Sequence, residues 1–185
     1  MGVYYITILA TGVTSFLAQI TGRISSDDIS KQNLVNNKFF VFLTGLILTV
    51  VSGLRWRVGA DYQQYSVLYI KQIITSWKQI DFLDEPGIKI ISTVSSWIYN
   101  DYATMFLLAA VITVSLFIST ISKHSNMFAF SVFLYIFIGA WHGSFNGIRQ
   151  FLACSIIFAG HNYIIEKRPY KYALIVMLAS LFHIS

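Results

Sequence analysis

Apolar residues run along this chain in long uncharged blocks separated by short polar connections. A helix rises 1.5 Å per residue, so about 20 mostly apolar residues cover a hydrocarbon core of about 30 Å. Six blocks approach that length: 3–20, 39–54, 103–121, 127–141, 148–165 and 172–185, of which the second, fourth and last are short for a full crossing. No basic residue precedes the block 3–20 and no convincing small-residue cleavage site follows it, so a retained first span is expected rather than a secretory signal. The stretch 55–102 has a different pattern: Tyr62, Tyr65, Tyr69, Ile73, Trp77 and Ile80 recur at helical spacing, opposite Gln63, Gln64, Ser66, Lys71, Gln72 and Gln79. That spacing predicts an amphipathic helix over 62–80. A second short helix is expected after Asp84 as cap, with Pro86 in its first turn and Ile88, Ile91, Val94 and Ile98 on one face. Both are expected to lie in the membrane interface. The predicted architecture is all-α: a polytopic membrane helix bundle of about six spans, forming one integral-membrane domain over 1–185, with amphipathic interfacial helices in a long outer loop at 55–102.

Composition agrees with that pattern. The 185 residues are 56% hydrophobic and 11% charged, with mean hydropathy +0.64, whereas soluble domains carry about 25% charged residues. Such a chain cannot cover itself with a polar surface. The net charge of +5 is spread too thinly for the broad basic face of a nucleic-acid binder, so no nucleic-acid partner is expected. The single cysteine, Cys154, excludes an internal disulfide and any CxxC motif and is most simply a helix-packing residue. Seven of the thirteen basic residues (Arg23, Lys31, Lys38, Lys123, Lys167, Arg168 and Lys171) fall in the first, third and fifth connections, which places those inside and the N-terminus outside. The five basic residues of 55–102 are offset by Asp61, Asp81, Asp84, Glu85 and Asp101.

In that topology three polar stretches come to the outer side: Arg55 to Tyr62 after the second block, Asn146-Gly147-Ile148-Arg149-Gln150 before the fifth, and His183-Ile184-Ser185 at the end of the sixth. Polar groups at membrane depth are costly and usually face a bundle interior or a wet cavity. Arg55 and Arg149 carry planar guanidinium groups that can hold a diphosphate at headgroup level, or simply snorkel at helix ends. Arg57, two residues from Arg55, is the plainer snorkelling residue. Asp61 can orient Arg55, bind a sugar hydroxyl or take its proton; equally, it can cap the helix that starts at Tyr62. Gly59 lets the backbone turn sharply just before it. His183 is either a general base or a headgroup and packing residue. Asn146 and Gln150 flank Arg149 and suit sugar binding or fixing of the guanidinium, with capping as the alternative for Asn146. Tyr62, Tyr65, Trp56 and Trp77 can stack on sugar rings or anchor at the interface. Asp81 and Asp84 lack the converging oxygen ligands of a metal site, and His124 and His161 fall on the inner side. No phosphate-loop, GxSxG or HExxH pattern occurs, and neither metal nor cofactor is expected.

Arg55 with Val58-Gly59-Ala60-Asp61-Tyr62 and Tyr65, then Asn146-Gly147-Ile148-Arg149-Gln150, then His183-Ile184-Ser185, in that order and spacing, resemble the EpsG family of bacterial membrane proteins, related to Wzy-type O-antigen and capsular polysaccharide polymerases. Ala60 stands where threonine or another small residue is expected. The resemblance implies a polymerase in the bacterial cytoplasmic membrane. It would transfer a growing glycan from undecaprenyl diphosphate to a sugar hydroxyl on the next lipid-linked repeat unit, at the outer face. It implies an undecaprenyl-diphosphate-linked oligosaccharide and membrane lipid as partners, alongside other polysaccharide-assembly proteins. Arg55 and Arg149 would stabilise the leaving diphosphate without a metal, Asp61 or His183 would serve as base, and the helix 62–80 would roof the cavity or guide lipid entry. Family members continue with several more spans, so this chain is expected to be a front portion. Two alternatives stay open: a non-enzymatic transporter or flippase, and an inactive fragment of a polymerase.

Overall fold

The computed structural model describes residues 2–25, 33–75 and 84–183. Lys31, Trp77, Gln79, Ile80, Asp81, Ile184 and Ser185 from the patterns above lie outside the described residues. The described chain is built almost wholly of helices, with one short antiparallel ribbon. Helix α1 (Gly2–Ile20) leads into strands β1 (Arg23–Ser25) and β2 (Asn33–Val35), paired with Ile24 opposite Leu34. Helix α2 (Lys38–Gly53) follows, its first turn capped by Asn37, whose Oδ1 accepts from the Phe39 N–H at 3.0 Å. After the outer helices α3 (Tyr62–Gln72) and α4 (Pro86–Ile98) comes the longest, α5 (Tyr102–His124). It starts where the Asp101 carboxylate accepts from the Ala103 N–H at 2.7 Å. The remainder is α6 (Phe128–Phe137), α7 (Ala140–Gly143), α8 (Ile148–Ala159), α9 (Asn162–Ile165) and α10 (Pro169–Ser180).

Helices occupy all six expected blocks, but among the described residues two are long and apolar enough to cross a membrane: α1 and α5. At 1.5 Å per residue they extend about 28 Å and about 34 Å. The block at 127–141 is interrupted because Gly139 turns left-handed (φ +84°) between α6 and α7. The block at 148–165 breaks after Ala159, where Gly160 presses against α10: a Cβ there would sit 2.6 Å from Ile175.

Burial runs inside out on the first two helices. Helix α1 buries Thr7, Thr11, Thr14, Ser15 and Ala18 and exposes Tyr5, Ile6, Leu9, Val13 and Phe16; α2 buries Thr44, Thr49, Ser52 and Gly53, with Leu48 as its one large buried apolar residue, and exposes Phe39, Phe42 and Leu46. In water this would be upside down, since large apolar side chains drive burial. It suits helices in lipid, where small residues let backbones approach and hydroxyls find partners. The hydroxyls do find them: Thr11 donates to the Thr7 carbonyl at 2.7 Å, and Thr44 donates to Thr14 Oγ1 across the helix pair at 2.9 Å.

Helix α5 is the shared wall of two cores. On one side Leu48, Val114, Ile118, Phe128, Val132 and Trp141 pack together; on the other Tyr62, Tyr65 and Tyr69 of α3 meet Ile88 and Ile91 of α4, Phe106 of α5 and Leu152 of α8. The predicted tyrosine face of α3 is therefore correct as a buried face, but it is pressed onto the bundle, while Val67 and Ile70 face out. The helix stops at Gln72, with Ile73 extended, short of the predicted 80. Helix α4 departs in a second way: Val94 and Ile98, expected on one face with Ile88 and Ile91, point outward, and Ser92 and Ser95 are buried instead. The Ser95 hydroxyl donates to the Tyr69 hydroxyl at 3.1 Å, which gives the buried polar pair a partner.

Candidate functional site

The turn after α2 is held by Arg55. Its Nε–H and two terminal N–H groups donate to the carbonyls of Val58 (3.2 Å), Ser52 (2.7 Å) and Phe145 (3.1 Å), and its plane lies over Phe106, 4.6 Å from the ring centre. Only 9% of the residue is exposed. Burial lowers its pKa below the ordinary guanidinium value to about 10, so it remains cationic at neutral pH. Expected at a helix end as a snorkelling or diphosphate-binding residue, Arg55 here turns inward: buried carbonyls need donors, and a guanidinium satisfies three at once. Beside it, Gly59 (φ +107°) passes so close to the 145–146 backbone that a Cβ would lie 2.5 Å from the Phe145 carbonyl oxygen. The Ala60 N–H donates to Asn146 Oδ1 at 2.7 Å. Asn146 thus ties the first polar stretch to the second, and the residue at the cap of α8 is Gly147.

One turn into α3, Tyr65 faces a different group. Its hydroxyl accepts from Arg149 Nε–H at 3.2 Å, and Arg149 Nη1 donates to Glu85 Oε2. The other Glu85 oxygen, Oε1, meets His183 Nδ1 at 2.9 Å. Tyr65, Arg149, Glu85 and His183 therefore form one chain of contacts drawn from four elements. The Glu85 side chain is 13% exposed, Arg149 42% and His183 33%, so the carboxylate is enclosed while the guanidinium and the imidazole open outward. An ionised carboxylate only accepts, so Nδ1 of His183 carries the hydrogen and Nε2 presents the lone pair when the ring is neutral. The end of α10 is seated by α4: the Gly87 N–H donates to the Leu181 carbonyl at 2.7 Å, and the Phe182 ring lies against Gly87.

Glu85 is the residue that sequence reasoning missed. Glu85, rather than the expected Asp84, holds the cap position of α4, in a left-handed conformation (φ 43°, ψ 63°) and with no side-chain cap bond. Asp84 instead pairs with Lys89, which holds its carboxyl below the ordinary range. A signal existed. Glu85 is one of two glutamates in the chain, and glutamate is not a preferred capping residue.

The other predicted residues are not drawn into this cluster. Asp61 starts α3 half-buried, with no side-chain cap bond and no partner for its carboxylate among the described residues. Gln150 is exposed on the first turn of α8. Tyr62 is buried, stacked on Phe106 with ring centres 5.0 Å apart. Among the described residues no three His, Cys, Asp or Glu side chains come together as metal ligands. His124 and His161 meet far along the chain's other helix ends, with ring centres 4.5 Å apart.

A family model described as the EpsG family matches residues 38–185. No curated protein and no solved structure matches the chain.

Proposed function

The chain belongs to the EpsG family, and on that premise we propose that it is a multi-pass glycosyltransferase of the bacterial cytoplasmic membrane. It extends a polysaccharide by moving a glycan from undecaprenyl diphosphate to a sugar hydroxyl of the next lipid-linked repeat unit at the outer face. The observation that carries this reading is the Tyr65–Arg149–Glu85–His183 chain, which sets an outward-facing guanidinium and an oriented imidazole on either side of one carboxylate.

The chemistry follows from those groups. The bond between the anomeric carbon and the diphosphate oxygen breaks, and that carbon bonds to the acceptor hydroxyl oxygen. The acceptor proton passes to Nε2 of His183, whose Nδ1–H stays on Glu85. Negative charge grows on the leaving diphosphate, and Arg149 lies where it can meet that charge. Arg149 also opens α8, and neither its N–H nor that of Gln150 has an acceptor among the described residues. Helix N-termini favour anions for this reason. Of the two base candidates, His183 is preferred over Asp61 because it shares a carboxylate with the diphosphate-binding arginine.

Expressed in polysaccharide-producing cells in place of the unaltered protein, Arg149→Ala stops polymer formation while membrane protein level is unchanged. Polymer of normal length and amount from that variant would remove the basis for the proposal.

A further inference from the structure

We propose that a cleft along helix α3, the helix whose Tyr65 meets Arg149, is a glycan subsite that holds one pyranose unit of the lipid-linked substrate. The subsite rests on the polymerase reading for the source of the sugar, but its physical basis is separate. A cleft of about 490 Å³ is walled by Trp56, Arg57, Tyr62, Gln63, Ser66 and Tyr102, within the usual range of about 300–1,000 Å³ for small-molecule sites.

Its walls have the two properties that a sugar ring requires. The first is an aromatic face for the C–H side of the ring, which Trp56 offers at 65% exposure; buried Tyr62, one face of which lies on Phe106, and half-buried Tyr102 back it edge to face (Trp56–Tyr62 6.3 Å, 69°; Tyr62–Tyr102 6.1 Å, 86°). Rings standing nearly at right angles leave a corner rather than a flat surface. The second is planar polar groups for vicinal hydroxyls. Gln63 is exposed and its carboxamide has no partner among the described residues; the Ser66 hydroxyl donates to the Gln63 carbonyl at 2.9 Å and keeps its acceptor side. Arg57 adds a guanidinium held 5.6 Å from the Trp56 ring centre. Its backbone is left-handed (φ 52°), an uncommon conformation for a residue with a Cβ, in the turn that brings Trp56 and Arg57 to the cleft.

An acyl chain is a poor match for this cleft. Except for Val67 at its edge, each large side chain lining it carries a polar tip. The apolar exposure of α3 lies instead at Val67 and Ile70. Tyr62 lines the cleft and Tyr65 holds Arg149, three residues or about 4.5 Å further along the same helix. The cleft and the Arg149 cluster therefore share helix α3 as a common wall.

The full protein in nanodiscs is titrated with free disaccharides of glucose, galactose, N-acetylglucosamine and glucuronic acid, and binding is read by saturation-transfer NMR. At least one disaccharide binds saturably in the millimolar range. Trp56→Ala and, on the exposed face where folding is not at issue, Gln63→Ala each weaken it by about tenfold or more. Arg149→Ala binds it as the unaltered protein does, and inorganic pyrophosphate does not compete. No saturable binding by any disaccharide, binding indifferent to both cleft variants, or displacement by pyrophosphate overturns the subsite. Because the polymerase reading is judged by polymer from Arg149→Ala cells, either claim can fail alone.

Discussion

A carboxylate between a guanidinium and an imidazole restrains both, and this makes Glu85 the most informative single position. Glu85→Gln keeps the shape but removes the charge, and a charge-assisted hydrogen bond is worth about 1.5–3 kcal/mol. Sugar incorporation by membranes carrying Glu85→Gln is expected to fall about 10- to 100-fold at unchanged protein level; incorporation at the unaltered rate would detach Glu85 from the chemistry. Arg55 predicts the opposite division. Its three donors hold the Ser52, Val58 and Phe145 carbonyls, and removing a donor from a buried carbonyl costs about 1 kcal/mol or more. Arg55→Ala should therefore lose about 3 kcal/mol of stability, seen as a lower unfolding temperature in detergent. Arg149→Ala releases one partner of the Glu85 carboxylate but no backbone carbonyl, and should lower that temperature less than Arg55→Ala does.

At the scale of elements, the site depends on how α4 seats the end of α10. A Cβ on Gly87 would lie 2.4 Å from the Phe182 ring, so Gly87→Ala pushes Phe182 away and carries His183 off Glu85. Alanine suits a helix better than glycine by about 1 kcal/mol. The substitution should thus reduce polymer synthesis without lowering helicity by circular dichroism, and full activity would show that α10 need not rest on α4. The individual elements were largely readable from sequence because helical spacing and uncharged length are local properties: the starts of α1, α2, α5 and α8 fall within a residue of the expected blocks. Interruptions at Gly139 and Gly160 were not, because glycine is tolerated in membrane helices and its effect depends on what packs against it. The site was half legible for the same reason. Arg149, Tyr65 and His183 stand out as polar residues near helix ends. That Arg55 turns inward onto Phe145, 90 residues away, and that Glu85 leaves its own helix to join Arg149 and His183, are facts of tertiary packing that no local pattern contains.

Over the described residues, the inside-out burial of α1 and α2 and the two cores that share α5 describe a bundle that turns apolar side chains of its first helices outward and holds the Tyr65–Arg149–Glu85–His183 cluster at one end. Leu9, 70% exposed near the middle of α1, tests the first half of that statement. Leu9→Arg costs about 2.5–3.5 kcal/mol in a membrane-centre position and should deplete the protein from the membrane fraction, whereas undiminished recovery there would argue against lipid contact at this face. The second half is tested by reconstitution. The full protein in proteoliposomes, supplied with an undecaprenyl-diphosphate-linked repeat unit, is assayed for glycosidic bonds formed and for undecaprenyl diphosphate released. The account predicts one carrier released for each bond formed, with both lost in His183→Gln although that variant still binds the lipid-linked unit. Bond formation by His183→Gln at the unaltered rate, or no release of carrier by the unaltered protein, would contradict it.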